Sequence, residues 1–166
     1  MQIRIDNINE ILAAIGLTGQ HERKGQGWHR VYIHAPQEGT DVTLYLGRVM
    51  FQHGEYQWVK WCVEPGQGEL QDYDVYWFRW QVYVATGKRL GPQSWERLKA
   101  KAHIEAQAKY AAAKAARAAL NADRTAAGKK PRTRAIAPPN PRRAACLIVS
   151  EWLSAELGRE VRLFAF

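Results

Sequence analysis

The sequence has few cysteines and no long apolar segment. Its two cysteines, Cys62 and Cys146, are too few for a disulfide framework or a four-cysteine zinc module. No run approaches the roughly 18 apolar residues of a membrane-spanning helix. The start, Met1–Asp6, lacks the apolar stretch of a signal peptide. These absences argue against a disulfide-rich secreted protein, and they predict a protein of the reducing cytoplasm with no membrane partner.

Motifs for catalysis and metal binding are also missing. His29 and His34 fall on opposite faces of a strand, and no cysteine pair accompanies them. Asp6 with Glu22-Arg23-Lys24 loosely matches the carboxylate and Glu-x-Lys set that holds a metal in some nucleases, but the pattern falls in a helix cap and a glycine loop. Cys62 is expected to be buried in a strand. We therefore predict no catalytic residues, no metal site and no cofactor, with a metal-dependent nuclease as a distant alternative.

What the sequence does contain is an uneven distribution of charge and aromatic residues. The 166 residues carry a net charge of +8 and seven tryptophans. Residues 1–90 hold nine Lys or Arg and ten Asp or Glu, whereas residues 91–166 hold fifteen and six. Six of the seven tryptophans lie between Trp28 and Trp95. A nearly neutral, aromatic body with a basic extension is typical of proteins that bind nucleic acid, acidic protein surfaces or anionic lipid.

The first half of the chain is predicted to be a helix followed by strands. Apolar residues at helical spacing follow Asn7, and Gly16 ends the pattern. Thr18–Gly27 is expected to be a loop because it contains three glycines. Alternating patterns then predict four strands, with turns at residues 52–55 and 65–68. The predicted strands cover residues 28–34, 41–51, 56–63 and 70–85, which would form an antiparallel meander.

The second half is predicted to contain two helices joined by a linker. Residues 95–127 are rich in Ala, Lys and Arg and contain no Gly or Pro, which favours a long helix. Residues 128–143 contain four prolines and six basic residues, so this linker is expected to be extended and mobile. Asn140-Pro141 and Gly158 predict the ends of a second helix. Alternation over residues 161–166 predicts a last strand that rejoins the sheet.

These elements define the predicted fold class and domain organisation. The fold class is α+β, with an N-terminal helix, an antiparallel β-meander of about four strands, a long basic helix, a Pro/Arg linker, and a C-terminal helix with a closing strand. The predicted units are an aromatic-rich body (1–90), the long basic helix (91–127), the basic proline-rich linker (128–143) and a C-terminal segment that completes the body (144–166).

Two interpretations of the long helix are open. It is either a solvated helix whose alanines form a shallow contact with its own sheet, or a helix that binds phosphates together with the linker. The second predicts nucleic-acid contacts, to DNA or RNA and with little sequence readout, by eleven basic residues: Lys99, Lys109, Lys114, Arg117, Arg124, Lys129, Lys130, Arg132, Arg134, Arg142 and Arg143.

The predicted function is a non-enzymatic nucleic-acid-binding accessory protein. In size, aromatic meander and basic appendage the chain resembles accessory proteins of phages, plasmids and defence systems. The alternative is a protein-interaction module or inhibitor that binds an acidic surface of a nucleic-acid-processing complex. The strand aromatics also allow two interpretations, since Trp77-Arg79-Tyr83 or Trp28-Arg30-Tyr32 would suit a stacking platform. Tryptophan and tyrosine are ordinary sheet residues, however, so a core role is favoured.

Overall fold

The protein is described by a computed structural model that covers residues 1–62 and 68–163. Within these ranges the chain forms four helices and a four-stranded antiparallel meander, which confirms the predicted α+β class. The helices are α1 (Ile8–Ala14), α2 (Asp74–Thr86), α3 (Pro92–Ala126) and α4 (Pro141–Leu157). The strands, in their order across the sheet, are β1 (Thr18–Gly25), β2 (Trp28–Pro36), β3 (Thr43–Gln52) and β4 (Glu55–Trp61).

The prediction of a loop over Thr18–Gly27 was wrong. This segment forms β1 and pairs with β2 through the two-residue turn Gln26-Gly27. Both turn residues have positive φ angles, as do His53 and Gly54 in the β3–β4 turn, where a hairpin was correctly predicted. Such turns match the twist of paired strands. The strand was missed because β1 is a polar edge strand without apolar alternation. The turn predicted at residues 65–68 lies largely outside the described residues.

The prediction of a strand over residues 70–85 was also wrong, because most of this segment forms helix α2. The helix is apolar around most of its circumference, so its sequence shows no single apolar stripe. Trp80 packs edge-on against Trp61 of β4, with ring centroids 5.7 Å apart. Phe78 packs against Trp95 of α3 at 5.8 Å. Helix α2 therefore lies between the sheet and α3, and tertiary contacts on both sides explain its composition.

The core lies between one face of the sheet and the helices. Helix α1 buries Ile8, Ile11 and Leu12, as their helical spacing predicted. In β2 the residues that alternate with Trp28, Arg30 and Tyr32 point into the core. The fully buried side chains of the sheet are Val31, Ile33, Leu46, Val49 and Phe51. On the opposite face Met50 is also buried, whereas Trp28, Arg30, Tyr32 and Arg48 are half-buried and Tyr45 and Trp58 are exposed.

Helix α3 has 35 residues, about 50 Å, and only its first half packs on the body. Its buried residues are Trp95, Leu98, Ala102 and Ala106. None of its later residues, all of which the structure describes, is buried. Helix α4 packs beside the first half of α3 and begins at the predicted Asn140 cap, whose side chain accepts a hydrogen bond from Arg143 N. None of the helices in the described ranges is long and apolar enough to cross a membrane.

The predicted closing strand is not formed in the part that the structure describes. Val161 N and Leu163 N donate hydrogen bonds to the hydroxyl oxygens of Ser154 and Ser150, both at 2.8 Å. The segment thus folds back onto α4 instead of pairing with the sheet, because the serine side chains supply the acceptors that a neighbouring strand would have offered. Residues 164–166 of this prediction lie outside the described residues.

Candidate nucleic-acid interface

Arg142, one of the eleven predicted phosphate contacts, is used inside the fold. Its Nε donates to Asp74 Oδ2 at 3.0 Å, and the Asp74 side chain is fully buried. The same carboxylate oxygen accepts a hydrogen bond from Gln71 N at 2.7 Å. Arg142 therefore ties the start of α4 to the start of α2, and this prediction of a free phosphate contact is corrected to a structural role.

Lys99 is also paired, although at the surface. Its Nζ donates to Asp72 Oδ1 at 2.8 Å, and this hydrogen bond raises the pKa of Lys99 above its ordinary value. A phosphate could bind Lys99 only in competition with that carboxylate. The remaining nine predicted residues carry no ion pair among the described residues. They stay predictions as nucleic-acid contacts.

The linker is held along the second half of α3 by side chains of that helix. Arg132 N donates to Asn121 Oδ1 at 2.8 Å, and Asn121 Nδ2 donates back to Arg132 O at 3.2 Å. Guanidinium groups of the helix hold the linker on either side of this clamp. The two bonds are Arg117 Nη1 to Arg134 O, at 2.7 Å, and Arg124 Nε to Lys130 O, at 2.9 Å.

The spacing of these clamps follows from the geometry of the two segments. Arg117, Asn121 and Arg124 are separated by four and three residues, which puts them on one helix face. Four helical residues rise about 6.0 Å, and two residues of extended polyproline-type chain span about 6.2 Å. The step from Arg117 to Asn121 therefore matches the two linker residues from Arg134 to Arg132, and the shorter step to Arg124, about 4.5 Å, reaches Lys130 O. These bonds hold the linker against α3, and its mobility stays a prediction.

We expect the Asn121 clamp to be measurable by amide hydrogen exchange. In Asn121→Ala the Arg132 amide loses its only described acceptor, so its exchange should accelerate by about fivefold or more. Gln107→Ala, an exposed change on the same helix, is the matched control and should leave this amide unchanged. Equal exchange at Arg132 in both variants would show that the linker is not held by this contact.

The clamped segments together form a strongly basic projection, which we call the basic arm (residues 109–140). It contains one carboxylate, Asp123. Nine of the eighteen residues from Lys109 to the end of α3 are alanine, so the cations stand on a surface of small side chains. The arm carries eight basic residues: Lys109, Lys114, Arg117, Arg124, Lys129, Lys130, Arg132 and Arg134. Arg143, exposed at the start of α4, follows directly.

A second surface is the open face of the sheet, where part of the aromatic residues lie outside the core. Trp61, Trp77, Trp80 and Trp95 are buried, as the core interpretation predicts. Trp58 is 41% exposed and Tyr45 is 38% exposed. We call this surface the aromatic face, defined by six residues: Trp28, Arg30, Tyr32, Tyr45, Arg48 and Trp58.

Side chains of the aromatic face contact one another across the strands. The Arg48 guanidinium lies 5.7 Å from the centre of the Trp58 ring, and that of Arg30 lies 5.5 Å from the Tyr32 ring. Tyr32 and Tyr45 meet edge to face at 6.1 Å. The contacts between strands follow from the register, in which Tyr32 lies opposite Arg48 and Met50 lies opposite Trp58, whereas Arg30 and Tyr32 are neighbours on β2. The predicted pattern Trp28-Arg30-Tyr32 lies on this face, and the other candidate, Trp77-Arg79-Tyr83, lies in α2, where Trp77 is buried.

The histidines, cysteines and carboxylates of the described residues form no metal-binding cluster. Among residues 1–62 and 68–163 no three His, Cys, Asp or Glu side chains gather in a way that would hold a metal ion. Glu22 binds Lys24 and Tyr32, and the hydrogen bond from Lys24 lowers the pKa of its carboxyl. Cys62 is exposed, which corrects the expectation that it is buried. Burial raises the pKa of the Cys146 thiol to about 12, which disfavours the reactive thiolate.

No protein-family model, no curated protein and no solved structure matches this chain.

Proposed function

We propose that this protein is a non-enzymatic nucleic-acid-binding protein and that the basic arm contacts the phosphate backbone. The observation that carries the proposal is the excess of cations on the arm, with eight basic side chains and a single carboxylate. None of the eight is neutralised by an ion pair within the described ranges. Such an excess is unfavourable by self-repulsion unless an anionic partner uses it.

The arrangement of the arm suits a linear polyanion. The second half of α3 leaves the body and exposes its whole length, and the linker runs back along it. Two neighbouring rows of cations are thus presented on a projection of about 27 Å, the length of the eighteen helical residues from Lys109. The alanines between them let a phosphate backbone approach closely.

Binding of this kind has little sequence readout. Lysine and arginine that neutralise phosphates release condensed counterions, and contacts to phosphate carry no direct information on base identity. The contact set that we propose is the nine predicted residues without an ion pair. Lys99 and Arg142 are left out because Asp72 and Asp74 occupy them.

The test is a salt titration of binding to a generic DNA duplex, followed by fluorescence anisotropy. The arm variant is Lys129→Gln/Arg132→Gln/Arg134→Gln, which keeps the backbone groups that α3 clamps. Each lost phosphate contact should reduce the slope of log affinity against log salt by about 0.9. The slope of the variant, which lacks three cations, should therefore be smaller by up to roughly 2.7. The matched control, Arg89→Gln/Arg97→Gln/Arg159→Gln, removes the same charge from exposed positions outside the arm and should keep the slope.

Three results would contradict the proposal. The first is no binding of micromolar protein at low salt, the second is an equal change of slope in both variants, and the third is an unchanged slope in the arm variant. The first of these would favour the alternative, in which the arm binds an acidic protein surface.

A further inference from the structure

We infer that the aromatic face is a second binding site, which holds the bases of a single-stranded nucleic acid by stacking. The inference goes beyond the basic arm, and it rests on the proposed function only in that the ligand is a nucleic acid. Its basis is a solvent-accessible surface on which aromatic rings and arginine side chains alternate. This is the arrangement that non-specific single-strand binders use.

Two rings of the aromatic face are exposed to solvent. Trp58 lies on the edge strand β4 with 41% of its surface accessible, and Tyr45 on β3 is 38% exposed. On the other face of the same sheet, Val31 and Val49 are fully buried. Large rings that remain exposed on the face opposite these core residues are not needed for the core. They are available to stack on a planar ligand.

The two arginines of this face contact its aromatic rings. The guanidinium groups of Arg30 and Arg48 lie over the rings of Tyr32 and Trp58. The Nε atoms of both arginines are buried and have no hydrogen-bond acceptor among the described residues. Arg30 Nη1 donates to the Tyr32 hydroxyl at 2.8 Å, which in turn donates to Glu22 at 2.7 Å. These contacts hold the Tyr32 ring in place before a ligand binds.

Charge decides between possible occupants of the face. Lys24, Arg30, Arg48 and Lys60 surround the rings, and Glu22 is the one described acid that bonds to them. The face is therefore positive. A second copy of the chain would bring the same positive charge and be repelled, whereas the phosphates of a nucleic acid are attracted.

The shape of the face selects single strands over duplexes. Bases in a duplex are stacked on each other and show only their edges, while a single strand offers their planes. Four strands about 4.8 Å apart give a width of about 14 Å. Four-stranded sheets with exposed aromatic side chains hold two or three stacked bases in RNA-binding domains, so this width is sufficient.

The two sites are separated by the core, so each can be tested alone. Trp61 on the inner face of the sheet packs on Trp80 of α2, and Phe78 on another side of α2 packs on Trp95 of α3. Helix α2 thus lies between the sheet and the helix that carries the basic arm. Changes on the aromatic face do not touch the arm.

The test uses the full chain with Trp58→Ala and a matched control, Trp152→Ala, which removes a tryptophan of similar exposure (39%) from α4. The probes are a short oligothymidine, an abasic strand of the same length and a duplex. Loss of one stacked base should weaken oligothymidine binding by about 5- to 150-fold. Binding of the abasic strand and the duplex should stay unchanged, and Trp152→Ala should bind all probes as the unmodified chain does.

Rescue and oligomeric state complete the test. Trp58→Phe keeps an aromatic plane and should recover most of the affinity, which a loss of folding would not allow. The inference is overturned if Trp58→Ala and Trp152→Ala behave alike, or if the abasic strand loses as much affinity as oligothymidine. It is also overturned if sedimentation shows a dimer that Trp58→Ala dissociates.

The outcomes also separate this inference from the proposed function. If the arm variant keeps its salt slope while Trp58→Ala loses oligothymidine binding, the basic arm fails and the aromatic face stands. If the arm variant loses slope while Trp58→Ala has no effect, the aromatic face fails and the basic arm stands.

Discussion

Replacing Asp74 by alanine should lower the free energy of unfolding by about 3–5 kcal/mol, measured by urea denaturation at neutral pH. Asp74 is fully buried and receives bonds from Gln71 N and Arg142 Nε on one oxygen. Without it, the largely buried Arg142 guanidinium, 14% exposed, keeps its charge but loses its partner. The bond to Gln71 N that supports the first turn of α2 is lost as well.

The matched control for this experiment is Arg143, the residue that follows Arg142 in α4. Arg143→Met removes an exposed arginine from the same helix turn and should change stability by less than about 0.5 kcal/mol. Arg142→Met should be strongly destabilising, because it leaves the buried carboxylate alone. The double variant Asp74→Ala/Arg142→Met should lose less than the sum of the two single changes. Full additivity would show that the two groups do not stabilise each other.

The same carboxylate should make stability depend on pH. Burial raises the pKa of Asp74 above its ordinary value of 3.8, and the bonds from Gln71 and Arg142 offset only part of this. The folded state therefore binds the proton more tightly than the unfolded state. Its contribution to stability falls as the pH rises from 3.8 through the raised pKa. Asp74→Asn does not titrate, so the stability of the unmodified chain should fall relative to that variant over this range.

Replacing Gly47 by alanine should lower the free energy of unfolding by about 3 kcal/mol or more. Gly47 lies on β3 next to a β-bulge, where the pairing with β2 shifts between Ile33 and His34. On its other side, Gly47 is directly opposite Trp61 of β4. A Cβ atom there would lie 2.3 Å from the carbonyl oxygen of Lys60 and 3.0 Å from the Trp61 Cα. Because these are backbone atoms, β4 would have to move away from β3 and disturb the contact of Trp61 with α2.

Gly39→Ala separates this clash from the cost of an unusual backbone angle. Gly39 has a φ of +75°, and no atom lies within 4 Å of the Cβ position. We expect a loss of about 1 kcal/mol, from the left-handed conformation alone. Equal losses at the two positions, measured by thermal unfolding, would contradict the close approach of β4 to Gly47.

The two proposed binding surfaces differ in how far the sequence predicted them. The basic residues of the arm were identified from composition, because charge is visible in a list of residues. The sequence did not show which basic residues are paired with a carboxylate. The partners of Lys99 and Arg142 are Asp72 and Asp74, which are 27 and 68 residues away. The β2 segment of the aromatic face, Trp28-Arg30-Tyr32, was one of two candidate stacking platforms, but a core role was favoured, and the other candidate, Trp77-Arg79-Tyr83, lies in α2. The extension of this face depends on which residues of β3 and β4 lie opposite, and two bulges set that register.

Local signals were sufficient for several elements of this protein. The Asn140-Pro141 cap, the Gly158 end of α4 and the His53-Gly54 turn were correctly predicted, because capping and turn chemistry act within a few residues. The long helix was also predicted, since alanine, lysine and arginine favour helix at each position.

Tertiary structure decided the rest. Residues 74–86 form a helix because packing between the sheet and α3 outweighs their preference for strand. The linker lies along α3 because three distant side chains capture its carbonyls. Propensity and patterning describe what a residue prefers alone, whereas burial, ion pairing and register depend on neighbours that are remote in sequence. For this chain, composition established that a basic extension exists, and long-range contacts established that Lys99 and Arg142 are paired with carboxylates.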